Sequence, residues 1–470
     1  MINGSSLAVL DAATYYHFVA LATCIVLIVL HVHRWRQASK KLDSKLKRRM
    51  STLGWATKES ETESNRSIPL SITILDGELA KDKLVEHLQS RMDEDPAFFF
   101  RFRSKVEHGN FVVDPLFNTS RHVTEHILAE GETPHSISES LANKPLDEDL
   151  PLWAITMMHT GGKTWLVWRI HHCIGDGASL AMAFLKLSDA KDLPPELTTP
   201  PPAPKKKRTP FYVVWAQIIW SICMYMRKIF NVLIFPEPRT ILKQNGNQNK
   251  RLGYTLEFNI ADTKAVGKQF HATLNDVLVS CIAGALRRTI ENETNTPVSQ
   301  TLTLRAGIPV NMRGPSRIST TSNNFSSLMV DLPVGEADAT SRMKIVAKRL
   351  AEAKFSLEKN FTQLFSQIVM RLPKDLMRQG VRWSASNVSI AITNVRGPPI
   401  DLYMCGHLMS ASYAFVPPPP TVNVGVAITS WGKSLGVTVL MDTSIKQSPQ
   451  YFIKAIEAEF QELRSSLKLD

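Results

Sequence analysis

A histidine pair followed by an aspartate and a glycine offers the clearest chemistry in this sequence. The segment reads HHCIGDG over residues 171–177. A neutral imidazole at pH 7 can take the proton of a hydroxyl group and so make that group a nucleophile. Asp176, four residues after His172, can hold an arginine or a backbone amide and fix the loop, and Gly177 lets the backbone turn without a side-chain clash. This segment therefore predicts general-base catalysis by an imidazole of the pair.

The residues of this segment also allow other interpretations. Two adjacent histidines can be satisfied core residues or metal ligands. Neighbouring side chains on a strand point in opposite directions, and no nearby group of Cys, His or Glu completes a metal site, so we expect no metal. Asp176 could itself be the base, although an exposed aspartate is a weak base near neutral pH.

The elements on either side place the histidines in a turn between a strand and a helix. Residues 165–170 (WLVWRI) predict a strand, and residues 178–187 predict the helix that follows it. Loops at strand ends are where rigid scaffolds present reactive groups. We therefore expect the reactive imidazole at the end of a buried strand.

Length and composition predict two globular halves with a basic surface. The 470 residues are too many for one compact core, and the 44% of hydrophobic residues can build two. Lys and Arg exceed Asp and Glu by 12, which favours anionic partners such as phospholipid headgroups or phosphate-bearing substrates. The basic residues flank apolar segments and lack the interleaved aromatic residues of a stacking surface, so no nucleic acid is expected. The five scattered cysteines contain no CxxC pair and argue against a disulfide framework.

An uncharged N-terminal segment predicts a membrane anchor. Residues 12–30 would form a helix about 28 Å long, close to the hydrocarbon thickness of a bilayer. Basic residues follow this segment, so the positive-inside rule predicts a single-pass anchor over residues 1–36 with the catalytic body in the cytosol. A cleaved signal peptide or a buried core helix is the alternative interpretation. The endoplasmic reticulum is the expected membrane, with a lipid droplet or the plasma membrane as alternatives.

A second apolar segment, residues 211–226, is too short for a full span. Basic clusters precede and follow it, which is typical of a helix that lies in the membrane interface in contact with lipids. A buried linker helix is the alternative interpretation.

Composition divides the remaining chain into recognisable parts. A charged, Ser/Thr-rich tether is predicted over residues 37–66, an N-terminal domain over 67–193, and a Pro-rich linker with the apolar helix over 194–250. A C-terminal domain is predicted over 251–470. Strand and helix patterns alternate in both halves, which predicts an α/β fold of two mixed-sheet domains.

The motifs together resemble those of the wax ester synthase/diacylglycerol acyltransferase family, within the chloramphenicol-acetyltransferase-like CoA-dependent acyltransferases. HHCIGDG matches the HHxxxDG active-site motif of this superfamily. The blocks PLW (151–153), ND (275–276), PVNMR (309–313) and NVRGP (394–398) are similar to blocks of the family in order and spacing. Plant-type BAHD acyltransferases share HxxxD but carry a DFGWG motif that does not occur here. Nonribosomal-peptide condensation domains share HHxxxDG but usually sit in much longer chains.

The resemblance implies two chloramphenicol-acetyltransferase-like domains with a central tunnel and His172 near its centre. It implies His172 as the general base and His171 as a buttress of the loop, with Asp176 and Gly177 completing the catalytic motif. It implies an acyl-CoA-dependent O-acyltransferase that esterifies a long-chain fatty alcohol to a wax ester, diacylglycerol to triacylglycerol, or both. No cofactor is implied, because acyl-CoA is a substrate. The alternatives are an inactive membrane-anchored lipid-binding or tethering protein, and an acyltransferase for a small soluble alcohol or amine. The sequence does not predict the oligomeric state.

Substrate-binding roles are also implied for residues of the downstream blocks. These residues are Asn275, Asp276, Asn394, Arg396 and Gly397. A structural role is equally possible for each, as a helix cap in the first block and as a tight turn in the second.

Overall fold

The computed structural model describes residues 46–190, 210–247, 249–313, 318–398 and 400–466. The strands are β1 (Lys47–Arg49), β2 (Leu70–Asp76), β3 (Ser104–Glu107), β4 (Asn110–Val113), β5 (Val123–Glu125), β6 (Trp153–Thr160), β7 (Lys163–Ile170), β8 (Lys250–Asn259), β9 (Leu304–Asn311), β10 (Phe325–Leu332), β11 (Ile390–Val395), β12 (Tyr403–Met404), β13 (His407–Phe415), β14 (Val424–Trp431) and β15 (Ser434–Asp442). The α-helices are α1 (Thr52–Ser60), α2 (Lys81–Glu94), α3 (Pro134–Ala142), α4 (Gly177–Leu187), α5 (Phe211–Ile234), α6 (Ile260–Gln269), α7 (Leu274–Thr294), α8 (Ala339–Phe355), α9 (Glu358–Val369), α10 (Lys374–Ser386) and α11 (Pro449–Ser466).

The N-terminal half is built on a six-stranded mixed sheet. Its strand order is β12-β13-β2-β7-β6-β5. Strand β7 lies inside the sheet and pairs antiparallel with β2 and β6. Its residues Leu166, Val167 and Trp168 are buried, as expected for an interior strand with covered faces. The sheet thus holds the end of β7, at Ile170, in a fixed position directly before the histidine pair.

The C-terminal half has a second six-stranded mixed sheet, in the order β10-β9-β11-β14-β15-β8. The long helices α7 and α11 pack on it and on each other. Val277, Leu278 and Ile282 of α7 and Phe452 and Ile456 of α11 are fully buried in this core. Apolar residues at helical spacing over residues 275–290 and 447–467 predict both helices, and the structure confirms them.

One hairpin of the C-terminal half belongs to the N-terminal sheet. Strand β13 pairs antiparallel with β2, with Phe415 opposite Leu70 and Tyr413 opposite Ile72. The sequence prediction assigned all residues after 251 to the second domain, and the structure differs at this point. Strand pairing between distant segments is not visible in local periodicity, so composition gave no sign of the exchange.

The two mixed-sheet halves of the predicted fold class are confirmed, but its transmembrane part is corrected. Across the ranges that the structure describes, no helix combines the length and the apolar character needed to cross a membrane. The predicted single-pass localisation, at the endoplasmic reticulum or elsewhere, is corrected on the same finding. Residues 12–30, where the anchor was predicted, lie outside the described residues.

Helix α5 has a physical reason not to span. It is longer than the predicted 211–226 and contains Gln217, Arg227, Lys228 and Asn231 among its apolar residues. The Lys228 ammonium lies 2.6 Å from the Glu358 carboxylate of α9, so this side of the helix binds the protein body.

The segment for which composition predicts a tether is partly folded. Residues 37–45 lie outside the described part, but β1 and α1 occupy most of 46–60. Strand β1 joins β4 and β3 in a small antiparallel sheet. A Cβ on Gly54 of α1 would lie 3.1 Å from the carbonyl oxygen of Cys173, so α1 packs directly against the histidine segment.

Candidate active site

The histidine segment forms the predicted turn between a strand and a helix. Strand β7 ends at Ile170 and helix α4 begins at Gly177. The His172 backbone N–H donates to the Ser67 carbonyl at 2.8 Å, which ties the turn to the chain entering β2. His172 is partly accessible, whereas the other residues of 171–176 are buried. The turn therefore leaves His172 partly accessible and buries His171.

An asparagine from the C-terminal half holds His172. The Asn323 Nδ2 donates to the carbonyl oxygens of His172 at 2.9 Å and of Cys173 at 3.1 Å. This fixes the amide orientation and leaves Oδ1 facing the His172 Nδ1 at 3.3 Å. An amide oxygen can only accept a hydrogen bond, so Nδ1 carries the proton. The lone pair on Nε2 is consequently available to accept a proton.

The surroundings of His172 keep its ring neutral. Burial lowers its pKa below the ordinary value of 6.5. The Phe325 ring packs with its centroid 5.9 Å from that of the imidazole. A neutral imidazole with a free Nε2 is the form in which histidine acts as a base.

His171 is held by the N-terminal segment. Its Nε2 lies 3.1 Å from the Glu61 carboxylate, and its Nδ1 accepts from the Cys173 N–H at 3.0 Å. Burial acts to lower the pKa of His171, and the ionised Glu61 carboxylate acts to raise it. The N–H pointing at Nδ1 favours a ring whose proton is on Nε2, donated to Glu61. Both nitrogens are thus occupied, and His171 cannot reach a substrate.

The Glu61 carboxylate that receives His171 is itself held ionised. Burial opposes its charge, but the contacts with His171 and Lys58 lower its pKa to about 2. The Lys58 Nζ lies 3.0 Å from the carboxylate. The ionised Glu61 carboxylate therefore holds His171, and with it the histidine turn, in place.

Asp176 connects the turn to the C-terminal half. Arg313 Nη1 donates to both carboxylate oxygens of Asp176, at 3.0 and 2.8 Å. The same carboxylate caps α4 by accepting from the Ser179 N–H, and it accepts from the Asn324 N–H at 2.7 Å. The Asp176 carboxylate therefore binds one arginine and two backbone N–H groups.

The loop between β9 and β10 supplies these contacts. The two strands pair antiparallel, with Phe325 opposite Asn311. Arg313 leaves the end of β9 and Asn323 lies just before β10. The sheet of the C-terminal half therefore presents both side chains to the histidine turn.

Gly177 is required by a close approach rather than by an unusual backbone conformation. Its φ is not positive, unlike that of several other glycines in the described chain. A Cβ at this position would lie 3.1 Å from Cγ2 of Val395, at the end of β11. The glycine thus lets the start of α4 approach the NVRGP segment, and the predicted reason for it is corrected.

The downstream residues are only partly brought to the site. Asn394 Nδ2 donates to Asn275 Oδ1 at 3.1 Å, which joins the ends of β11 and α7 on the surface. Asp276 is buried and forms a capping box with Thr273, and Lys354 lies 2.7 Å from its carboxylate. Asp276 is therefore a helix cap, the structural alternative for this position.

The remaining two residues of the second block differ in character. Arg396 is exposed. The Gly397 N–H donates to Ser430 Oγ at 3.0 Å, and a Cβ there would clash with the Ser430 carbonyl oxygen. Gly397 thus serves the turn, while Arg396 presents a cation beside the end of β11.

The sequence analysis missed Asn323, Arg313 as a partner of Asp176, and Glu61. Asn323 lies 151 residues after His172 in a polar stretch with no motif spacing. Glu61 lies in a segment whose composition predicts a tether. Arg313 lies in the PVNMR block, and this is the one sequence signal that points to any of these three residues. In the part of the chain with described coordinates, no group of three or more Cys, His, Asp or Glu side chains could hold a metal ion.

Comparison with solved structures identifies the fold. The wax ester synthase/diacylglycerol acyltransferase from Marinobacter aquaeolei VT8 superposes with a TM-score of 0.62 at 17% identity, over 90% of this chain and 100% of that one. The first condensation domain of the calcium-dependent antibiotic synthetase gives a TM-score of 0.56 at 16% identity, over 90% of this chain and 96% of that one. The fold is that of the two-domain acyltransferases and condensation domains.

Family models and relatives place the chain more narrowly. The model of the wax ester synthase/diacylglycerol acyltransferase catalytic domain matches residues 70–229, and that of the C-terminal domain of the same family matches residues 321–464. A putative diacylglycerol O-acyltransferase of Mycobacterium tuberculosis is 24% identical over 85% of this chain and 88% of the relative. Wax ester synthase/diacylglycerol acyltransferase 8 of Arabidopsis thaliana is 21% identical over 82% and 90%. The chain belongs to the wax ester synthase/diacylglycerol acyltransferase family and is an acyltransferase.

Proposed function

We propose that this acyltransferase moves a fatty acyl group from acyl-CoA to the hydroxyl of a lipid, with His172 as the general base. The acceptor is a long-chain fatty alcohol, a diacylglycerol, or both. The observation that carries the proposal is the partly accessible His172, whose Nδ1 faces the Asn323 oxygen and whose Nε2 lone pair is free. The names of the relatives support the substrate class.

The proposed reaction is a direct transfer. His172 Nε2 takes the hydroxyl proton as the oxygen attacks the thioester carbonyl carbon. The tetrahedral intermediate then collapses, the carbon–sulfur bond breaks, and the imidazolium returns its proton to the departing thiolate of coenzyme A. General-base assistance contributes roughly 10²–10⁴ in rate, so positioning and stabilisation of the oxyanion supply the rest.

Charge supports the binding of coenzyme A. The chain carries a formal net charge of +12, which attracts the phosphates of this substrate. Arg396 is exposed near the end of β11, and Val395 touches the start of α4 at Gly177. We assign a substrate-side role to Arg396 and the Asn275–Asn394 pair, and a structural role to Asp276 and Gly397.

A direct test offers labelled acyl-CoA with fatty alcohol and diacylglycerol in parallel assays. Wild-type protein should form a labelled ester with at least one acceptor, together with one free thiol per ester. His172→Ala should lower kcat by roughly 10²–10⁴, because the base is lost. His126→Ala is the matched control, since this half-exposed ring contacts Glu132 rather than the turn.

The alternatives predict different outcomes. A small soluble alcohol or amine consumed in preference to both lipids would indicate the second enzyme. Absence of ester with every hydroxyl acceptor would support the inactive lipid-binding protein. Undiminished esterification by His172→Ala would exclude the proposed base.

A further inference from the structure

Helix α5 leaves a long apolar stripe facing solvent. Trp215, Ile219, Ile222, Met226, Phe230 and Leu233 follow one another at intervals of three or four residues, so they lie on one face of the helix. Trp215, Ile219 and Phe230 expose 50%, 58% and 59% of their surface. From Trp215 to Leu233 the stripe is about 27 Å long. Monomeric soluble proteins rarely expose apolar patches of this extent, which usually mark interaction sites.

The opposite face of α5 is occupied by the protein body. Ser221 is buried and its Oγ accepts from the Leu357 N–H at 3.4 Å. The Tyr225 ring stacks on that of Phe361, with centroids 5.4 Å apart. Lys228 pairs with Glu358 of α9. The helix is thus held on the body by one side, and the exposed stripe is its free side.

Helix α9 extends the exposed apolar residues towards the active site. Leu364 and Phe365 are exposed. Gln363, directly before them in the chain, donates to Asn324 Oδ1 at 3.2 Å. Asn324 donates in turn to Asp176 through its backbone N–H. We call the six stripe residues of α5 together with Leu364 and Phe365 the apolar surface. Its α9 part is linked to Asp176 of the histidine turn through Gln363 and Asn324.

Charge distinguishes the possible occupants of this surface. Helix α5 contains no acidic residue and its Arg227 is exposed, and Arg382 is exposed on α10, which packs against α9. A second copy of the chain seated on this face would bring the same cations against each other. An anionic lipid surface pairs with them and also accepts the apolar stripe. Trp215 and Trp220 are of the type enriched at membrane interfaces.

We propose that the apolar surface docks on an anionic lipid surface, with α5 lying in the interface and α9 turned towards the lipid next to the active site. This rests on the proposed function in one respect, since a lipid acceptor would then reach His172 from the docked side. The docking itself is a property of α5 and α9 and does not require catalysis.

The exposed thiol of Cys223 allows the docking to be measured directly. Cys223 lies on α5 next to the stripe, and Cys173, Cys281 and Cys405 are buried. In the full chain with Cys24→Ser, an environment-sensitive fluorophore on Cys223 is exposed to phosphatidylcholine vesicles with and without phosphatidylserine. Emission should rise and shift to the blue with vesicles, more strongly when phosphatidylserine is present and less at high salt.

Variants give the test its controls. Ile219→Glu with Phe230→Glu should raise the vesicle concentration for half-maximal response by about ten-fold or more, because charges replace buried apolar contacts. Ile127→Glu, at an apolar position with 88% exposure in the N-terminal half, should leave the response unchanged. His172→Ala should also keep the full response, so a failure of the proposed function is distinguished from a failure of docking.

Three results would overturn the proposal. The first is a label that does not respond to vesicles, and the second is the same response in the Ile219/Phe230 variant. The third is a blue shift that depends on protein concentration without vesicles, which would mean that a second copy covers the surface. If deletion of residues 1–45 were needed to release an already shifted label, that segment would be the occupant instead.

Discussion

The orientation of one imidazole depends on one amide. The side-chain nitrogen of Asn323 donates its two N–H groups to the carbonyl oxygens of His172 and Cys173. Only the amide oxygen can therefore face Nδ1 of His172. Without this acceptor, either nitrogen of His172 could carry the proton. Asn323 is thus a positioning residue, acting on the reaction only through His172.

Asn323→Ala should therefore lower kcat while leaving KM for acyl-CoA nearly unchanged. We expect a loss of about 10- to 100-fold, part of the full value of a general base. Steady-state kinetics with a soluble alcohol acceptor would measure it. Asn324→Ala is the matched control, because it keeps the backbone N–H that binds Asp176 and loses only the contact with Gln363. A larger KM with unchanged kcat would contradict the positioning role.

The lowered pKa of His172 sets the pH dependence of the reaction. A base acts only when unprotonated, so activity should be full above this pKa and should fall as the pH drops through it. Since burial keeps the pKa below 6.5, the profile should be flat across neutral pH, with its acid limb below pH 6.5. Measuring kcat/KM against pH checks this. An acid limb above pH 7 would show that the ring is stabilised in its charged form.

At the scale of elements, the two halves meet through a loop that carries charge. The β9–β10 loop brings Arg313 to Asp176, and both side chains are nearly inaccessible. Removing one member of a buried ion pair leaves the other uncompensated and costs about 3–5 kcal/mol.

Arg313→Met should lower the free energy of unfolding by about 3–5 kcal/mol because it leaves the Asp176 carboxylate without its cation. Denaturant unfolding would measure the loss. Arg464→Met is the control, since that guanidinium and its partner Asp262 are both nearly half exposed. The double variant Arg313→Met with Asp176→Asn should be less destabilised than the sum of its parts. Equal losses for Arg313→Met and the control would contradict the structural importance of the pair.

The secondary-structure elements also show which features the sequence periodicity predicts and which it does not. The periodicity predicts β7, α4, α7 and α11 because their apolar faces are buried by neighbours on both sides. The pattern over 339–358 predicts one helix, whereas α8 ends at Phe355 and α9 starts at Glu358. The polar Asn323 and Glu61 could not be predicted, because their partners are 151 and 110 residues away and polar side chains carry no periodicity.

At the scale of the whole molecule, the two halves share strands as well as contacts. Strand β13 follows β11 of the C-terminal sheet and pairs with β2 of the N-terminal sheet. The N-terminal sheet is incomplete without β12 and β13 of the C-terminal half, whereas all six strands of the C-terminal sheet come from residues 250–442. The boundaries predicted from composition miss this exchange for the same reason.

The described body should unfold in one cooperative transition. Loss of either half removes β13 or its partner β2, and it also removes the Asp176–Arg313 pair. Far-ultraviolet circular dichroism and tryptophan fluorescence should give coincident thermal transitions. Two separated transitions would show that the halves are stable alone, against the shared sheet.

The amide that aims the imidazole comes from the opposite half of the chain. Should the halves part, even by the width of a water molecule, Asn323 would leave Nδ1 and the ring could rotate or exchange its proton between nitrogens. The enzyme would then be inactive whenever the two halves are apart, and a bound thioester would not be hydrolysed in that state. Contact between the two halves and correct orientation of His172 would therefore occur together.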